Sequence, residues 1–229
     1  MATGSNYPTT PDAWADKQTD DQWTPLDANQ RTSAIENIET FLTSTEARVD
    51  TLEAVFIQSQ DASNSASIDF TSIASTYKEY IICFTDVVPV TNGANFYVRA
   101  SQGSGFLSGA SDYQWIRYGG PTSIGVSGDA QFTSDGADSQ FIIAADVGNT
   151  NAGYSASGEL RIFNPAGTTR FKMLTWMLSY VVATGPAFAG ITGHGFLAAA
   201  TSAVDGISFL MSTGNISSGT FKLYGVRAS

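Results

Sequence analysis

The chain has 229 residues, of which 42% are hydrophobic and 14% are charged, enough for one full-sized core and a smaller additional segment. Its net charge of −10 and pI near 4.3 leave no basic stripe to release counterions from phosphate, which argues against nucleic acids and anionic membranes as partners. The N-terminus has no basic and apolar regions of the kind found in secretory signals, and no apolar run approaches about 18 residues. Synthesis in a cytoplasm, without membrane insertion, is therefore expected.

Residues 1–30 form a polar segment that is too poor in aliphatic side chains to fold alone. It contains two tryptophans, Trp14 and Trp23, separated by an acidic stretch. Tryptophans in a segment without its own core are candidate anchors that insert into a pocket of a partner. The alternative is that both rings fold back on neighbouring copies of the same chain. Near the end of the segment, Thr24 as N-cap followed by Pro25 predicts the start of a helix.

Residues 31–58 are predicted to form a coiled coil, because apolar side chains recur there at alternating spacings of three and four. The alternative for this segment is an ordinary amphipathic helix that lies on a globular core. In heptad notation the inward a and d positions are Ile35, Ile38, Leu42, Thr45, Val49, Leu52 and Phe56.

The coiled coil is predicted to contain three helices, one from each of three chains. Isoleucine at both a and d, as at Ile35 and Ile38, shifts the preference away from dimers. Arg48 and Glu53 flank apolar positions in an arrangement that resembles the R-h-x-x-h-E trimerisation motif of short coiled coils. In that geometry the guanidinium of one chain can reach the carboxylate of its neighbour. A homotrimer follows from this reading.

The hydrophobic period changes after a polar linker predicted at residues 59–66. β-Branched and aromatic runs then alternate with turns rich in Gly, Asn, Asp and Pro, without a helical interruption. This pattern predicts a mainly β fold, in which residues 67–229 form a head domain that is an antiparallel, jelly-roll-like β-sandwich. The predicted strands are 67–73, 78–89, 95–101, 112–118, 139–146, 157–164, 170–182, 195–200, 206–213 and 219–227.

Signals for catalysis are few. His194 is the only histidine, no nucleophile elbow precedes a helix, and the glycine-rich stretches lie among predicted strands. We therefore predict no catalytic residue, no cofactor and no metal site. Cleavage of glycosides by paired carboxylates stays open as an alternative, and so does a calcium ion held by loop oxygens. The aspartates that could provide the paired carboxylates or the calcium ligands lie close together in the sequence: Asp112, Asp129, Asp135, Asp138 and Asp146.

The residues of the predicted loops favour binding of a ligand, above all a carbohydrate, over catalysis. Aromatic rings beside glycine-rich loops and aspartates are typical of carbohydrate binders. Tyr113 and Trp115 alternate onto one face and are expected to be core side chains, since a sandwich needs aromatic residues facing inward. The candidate ligand-binding residues are Phe106, Asp112, Tyr118, Asp135 and Tyr154.

Both ends of the chain resemble fibre and appendage proteins of tailed bacteriophages. Asp27 to Glu39 is similar to the D-x-N-x-x-x-x-A-I-x-x-I-E opening that precedes the globular part of such fibres. Gly214 to Gly225 is similar to the G-N-I-x-S-G-T-x-x-L-Y-G closing strands of their β-sandwiches, and the stretches 68–70 and 77–80 to the first strands. The resemblance leaves the middle of the chain unassigned.

The resemblance implies a virion structural protein without enzymatic activity. Residues 1–30 would attach to another virion protein through Trp14 and Trp23, the coiled coil would hold three copies, and the head domain would adhere to the host surface, with a cell-surface glycan as the expected receptor. The protein would be made in the cytoplasm of the host bacterium. One alternative is a capsid decoration, cement or head-fibre protein; another, from a different class, is an enzyme that trims surface polysaccharide.

Overall fold

The computed structural model describes residues 36, 39, 40, 54–71, 73, 75–103, 105–122, 131–184 and 187–227. The chain divides into two units, Met1–Thr51 and Leu52–Ser229. In the first unit, Glu36, Glu39 and Thr40 are helical, and the Thr40 hydroxyl donates a hydrogen bond to the Glu36 carbonyl at 2.8 Å. The second unit is called the head below.

The head is built from β-strands that pair in antiparallel fashion throughout the described residues, so the predicted mainly β character is confirmed. The twelve strands of this described part are β1 (Ala54–Ser65), β2 (Ser67–Phe70), β3 (Glu79–Pro89), β4 (Ala94–Ser101), β5 (Tyr113–Thr122), β6 (Gln131–Asp138), β7 (Phe141–Val147), β8 (Ala156–Phe163), β9 (Met173–Val181), β10 (Phe188–Leu197), β11 (Gly206–Met211) and β12 (Ile216–Val226).

The strands form two sheets. The large sheet has the order β1-β12-β3-β8-β9-β10-β5-β6, and the small sheet has the order β2-β11-β4-β7. Within them β1 pairs with β12, β2 with β11, β3 with β8, and β4 with β7. The two further pairs, β5 with β6 and β9 with β10, extend the large sheet beyond β8.

The predicted end of the coiled coil at residue 58 and the predicted linker at 59–66 are wrong. Residues 54–65 are β1, whose backbone pairs with β12 from Ala54 opposite Val226 to Ser65 opposite Ile216. Phe56 is thus a strand residue, more than half exposed, and its ring meets Tyr224 edge-on at 5.8 Å. The helical spacing did not decide the structure here because tertiary pairing with β12 overrides the weak local preference of this polar segment.

The remaining residues of the predicted coiled coil and anchor lie outside the described part of the chain, so the trimer and its anchor stay predictions. These residues are Trp14, Trp23, Ile35, Ile38, Leu42, Thr45, Arg48, Val49, Leu52 and Glu53.

One hydrophobic core lies between the two sheets. Four fully buried phenylalanines meet there with ring centroids 5.2–6.4 Å apart: Phe84 and Phe221 from the large sheet, and Phe96 and Phe209 from the small sheet. Because these rings come from both sheets, their packing holds the sheets face to face.

A second aromatic group fills the core beneath the extension of the large sheet. Phe141 on β7 lies 4.8 Å from the ring of Tyr113 and 5.7 Å from that of Trp176. Trp115 is also buried, and its indole N–H donates to Asp138 at 3.0 Å. The expectation that Tyr113 and Trp115 are core side chains is confirmed.

Replacing Tyr113 with phenylalanine is expected to lower the free energy of unfolding of the head. The Tyr113 hydroxyl accepts a hydrogen bond from the Ala100 N–H at 2.9 Å and donates one to the Leu107 carbonyl at 3.0 Å. Without the hydroxyl, the Ala100 N–H loses this partner in the core, at a cost of about 1–3 kcal/mol. Denaturant unfolding of the two proteins at pH 7 measures the loss.

The same substitution is expected to change the alkaline limb of the stability profile. Burial raises the pKa of the Tyr113 phenol, and burial also raises the pKa of Tyr180. Above pH of about 10 the unfolded chain releases a proton that the folded chain keeps, so stability falls by up to about 1.4 kcal/mol per pH unit for each such tyrosine. Of these two tyrosines the variant keeps only Tyr180, so its unfolding free energy should fall less steeply above pH 10. An unchanged slope would contradict the assigned burial.

Candidate functional site

The side of the large sheet that faces away from the small sheet, called the outward face below, carries a concave site. It forms where β9, β10, β5 and β6 lie side by side, and its cavity volume is about 420 Å³. The lining residues are Gln114, Trp115, Ile116, Ser134, Asp135, Gly136, Met173, Leu174, Thr175, His194, Gly195 and Phe196.

The local sequence of β10 explains why His194 and Phe196 reach this cavity. Gly193 and Gly195 occupy the inward positions, where a side chain would collide with the rings of Trp176 and Phe141 respectively. The two large rings therefore require glycine at these positions, and the intervening residues point outward because successive side chains alternate along a strand.

Strand register completes the site. His194 lies opposite Thr175 of β9 and Ile116 of β5. Phe196 lies opposite Met173 and Gln114 on the same two strands, in the next outward row. Directly opposed side chains are about 4.5–5.5 Å apart at Cβ, so His194 and Phe196 each neighbour one residue of β9 and one of β5.

The cavity combines apolar walls with a few polar groups. Ile116, Met173 and Phe196 supply the apolar walls, and the Phe196 ring packs against Phe171 with centroids 5.6 Å apart. Gln114, Ser134, Thr175 and His194 supply amide, hydroxyl and imidazole groups, while Asp135 lines the cavity from the register position opposite the inward Trp115. This is the composition of sites that hold a small ligand on an apolar surface and orient it by hydrogen bonds.

The polar groups of the cavity are not joined into a catalytic relay. In the part of the chain that the structure describes, no hydrogen bond links Ser134, His194 and Asp135 to one another. The Asp135 carboxylate instead accepts a hydrogen bond from the Ala137 N–H at 2.9 Å. The described residues also contain no group of three histidine, cysteine or acidic side chains that could hold a metal ion.

Of the five candidate ligand-binding residues, Asp135 lines the cavity. Tyr118 lies outside the cavity on the outward face of β5, with its ring 4.7 Å from that of Phe132. Phe106 and Asp112 lie in the connection between β4 and β5, and Tyr154 lies in the connection between β7 and β8. The Asp112 carboxylate accepts from the Gly109 N–H at 2.6 Å, Phe106 forms an isolated bridge with Ser101, and the Tyr154 N–H donates to the Asn151 carbonyl at 2.9 Å.

The clustered aspartates have separate hydrogen-bond partners. Asp138 accepts from the Trp115 indole, and Asp146 accepts from the Thr184 hydroxyl at 2.8 Å. Asp112 closes its own turn, and Asp129 lies outside the described residues. Of the five, Asp135 is the one that lines the cavity.

Sequence reasoning missed most of the site, including Gln114, Ile116, Ser134, Met173, Thr175, His194 and Phe196. A signal was present in Thr192–Phe196, where glycine alternates with larger residues and implies that one face of the strand is closely covered. The residues of β5, β6 and β9 could be added only from the register of four strands, which are two consecutive pairs joined by the pairing of β10 with β5.

Comparison with models of protein families, with curated proteins and with solved structures gave no match to this chain. Among the described residues, no helix has the length and apolar character needed to cross a membrane.

Proposed function

We propose that this chain is a structural protein of a tailed-bacteriophage particle: a homotrimeric tail fibre or appendage that attaches through residues 1–30 and adheres through its head to a host-surface glycan. The observation that carries adhesion is the cavity on the outward face, where apolar walls adjoin hydrogen-bonding side chains. The phage assignment depends on the sequence motifs at the two ends of the chain. The protein acts in the virion after synthesis in the bacterial cytoplasm.

The strand pairing supports a jelly-roll sandwich, the fold expected for such a head. When the inserted strands β5, β6, β9 and β10 are set aside, eight strands remain, and the first pairs with the last, the second with the seventh, the third with the sixth, and the fourth with the fifth. A long antiparallel ribbon folded over itself in this way is the jelly-roll pattern. The two inserted pairs are the strands that create the cavity.

A sugar suits this cavity for chemical reasons. The C–H face of a pyranose packs on an aromatic ring, which Phe196 offers, and its hydroxyls pair with amide and hydroxyl groups such as those of Gln114, Ser134 and Thr175. The volume lies within the range of about 300–1,000 Å³ that is usual for ligand sites.

The trimer supplies the strength of adhesion. A single open site with few polar groups binds a sugar weakly, because much of the ligand stays in water. Three such sites on one particle-bound trimer bind a repetitive surface polymer at high effective concentration, so the overall affinity exceeds that of each site without new contacts.

Changing Gln114 and Phe196 to alanine together is expected to weaken glycan binding at least about tenfold, equivalent to about 1.4 kcal/mol. The measurement is binding of the full chain to a glycan array and to polysaccharide from candidate host bacteria. Phe56→Ala is the matched control, because Phe56 is a half-exposed phenylalanine at the other end of the same sheet. Absence of glycan binding by the unmodified chain would contradict adhesion and favour a decoration role on the capsid.

A further inference from the structure

The side chains that reach the cavity from β9, β10 and β5 form two neighbouring rows on the outward face. Read from β9 to β5, the rows are Met173, Phe196 and Gln114, and then Thr175, His194 and Ile116. Apolar and hydrogen-bonding side chains are mixed within both rows. A ligand that fits them must also place apolar and hydrogen-bonding groups side by side over a short distance.

The hydrogen-bonding side chains of these rows are free to receive a ligand. In the part of the chain that the structure describes, the Gln114 amide, the Thr175 hydroxyl and the His194 imidazole have no hydrogen-bond partner. Their exchange of water for the polar groups of a ligand therefore breaks no hydrogen bond within the described residues.

The charges around the cavity disfavour an acidic sugar. Among the described residues that line it, Asp135 carries a carboxyl group, and neither lysine nor arginine occurs. Arg161 lies opposite Thr175 on β8, but it is already paired with Glu159 at 3.0 Å and with Glu79 at 3.1 Å. The net charge of −10 also repels an acidic polysaccharide. The ligand that suits this site is uncharged.

Two aliphatic side chains of the cavity are exposed in the free protein. Ile116 is 43% exposed and Met173 is 59% exposed. A hexose that packs its C–H face on Phe196 leaves both of them uncovered, and a hydroxyl group placed against them would lose hydrogen bonds to water. A methyl group of the ligand in the same position instead removes apolar surface of both partners from water.

The Gln114 amide adjoins these apolar side chains. Gln114 lies opposite Phe196 and two residues before Ile116, so all three share the outward face. A carboxamide both donates and accepts hydrogen bonds, so it can pair with the N–H or the carbonyl of another amide. An acetamido group joins an amide to a methyl and thus matches Gln114 and Ile116 together. A 6-deoxy sugar has the methyl but no amide.

We infer that the cavity selects an uncharged sugar that bears an acetamido group. The amide of this group pairs with Gln114, its methyl lies on Ile116, and the C–H face of the sugar ring covers Phe196. The inference rests on the proposed function, because it names the class of sugar to which the head adheres. Ile116 is then a residue that distinguishes the acetamido sugar from the parent sugar with a hydroxyl in its place.

The test compares sugars that differ only in the acetamido group. The pairs are N-acetylated chitotriose with cellotriose, N-acetylgalactosamine with galactose, and N-acetylmannosamine with mannose. Isothermal titration calorimetry of the full chain should give an affinity at least about tenfold higher for the acetamido member of the pair that binds best.

Ile116→Thr is expected to reduce this preference at least about threefold, because a hydroxyl replaces part of the surface that receives the methyl. Ile81→Thr is the matched control, since Ile81 is a partly exposed isoleucine in the same outward row, on β3. It should keep the preference of the unmodified chain. Thermal unfolding checks that both variants keep the head folded.

Equal affinities within every pair would overturn the inference. So would a glycan array on which acidic or 6-deoxy sugars bind more strongly than every acetamido sugar, or an Ile116→Thr protein that keeps the full preference. The proposed function survives these results, because the head still binds a glycan. A chain that binds no glycan at all refutes the proposed function, and the inference with it.

Discussion

Replacing Phe209 with alanine is expected to lower the free energy of unfolding of the head by about 3–5 kcal/mol, the usual cost of removing a buried aromatic ring. Phe209 is fully buried on β11, and its ring centroid lies 5.2–5.8 Å from those of Phe84, Phe96 and Phe221. The loss of stability has two contributions: the apolar surface that is no longer buried, and a cavity that is lined by aromatic rings of both sheets. Chemical denaturation followed by tryptophan fluorescence measures it.

Phe163→Ala is the matched control for this prediction. Phe163 is a phenylalanine on β8 that is partly exposed on the outward face. Its removal should cost about 1–2 kcal/mol, less than for Phe209, since Phe163 is 39% exposed. Equal losses for the two substitutions would mean that Phe209 does not occupy a core shared by the two sheets.

Changing Ile35, Ile38 and Leu42 to asparagine in the full chain is expected to dissociate the trimer at low micromolar concentration. Each trimer would lose nine apolar side chains worth about 1.5–3 kcal/mol each when fully buried, so its affinity should fall by several orders of magnitude. Light scattering should record a change from three times the chain mass of 24.2 kDa towards the monomer.

The control for the coiled coil replaces Glu36, Glu39 and Thr40 with glutamine. These exposed residues lie between the inward positions, and glutamine keeps a high helix propensity. The control protein should remain trimeric. Assembly of the asparagine variant as an unchanged trimer would contradict the predicted coiled coil.

The strands that sequence alone predicts well have both a strong apolar pattern and a buried face. β3 was expected at 78–89 and lies at Glu79–Pro89, and β12 was expected at 219–227 and lies at Ile216–Val226. Both strands lie inside the large sheet, where alternate side chains enter the core. When one face of a strand is buried, apolar and polar residues alternate along its sequence, and the prediction uses that alternation.

Two strands were missed because they form the edges of the large sheet. The sequence predicts the end of a coiled coil and a polar linker where β1 lies, and it predicts no strand between residues 118 and 139, where β6 lies. Each pairs on one side and is exposed over most of its length, so its sequence carries little apolar alternation. They are strands because they pair with β12 and β5. β12 lies far from β1 in the chain, and β5 is separated from β6 by a connecting segment, so neither pairing is visible in the local sequence.

The sequence by itself determined the mainly β character of the head, most of its internal strands and the burial of Tyr113 and Trp115, because these follow from local alternation and composition. Only the tertiary structure decided the cavity. It arises when β9 and β10 join β5 and β6 in one sheet, which sets His194 beside Ile116 and Ile116 beside Ser134. The reason is that a shift of register by one residue would turn these side chains to the opposite face, and no local pattern fixes the register between strands so far apart in the chain.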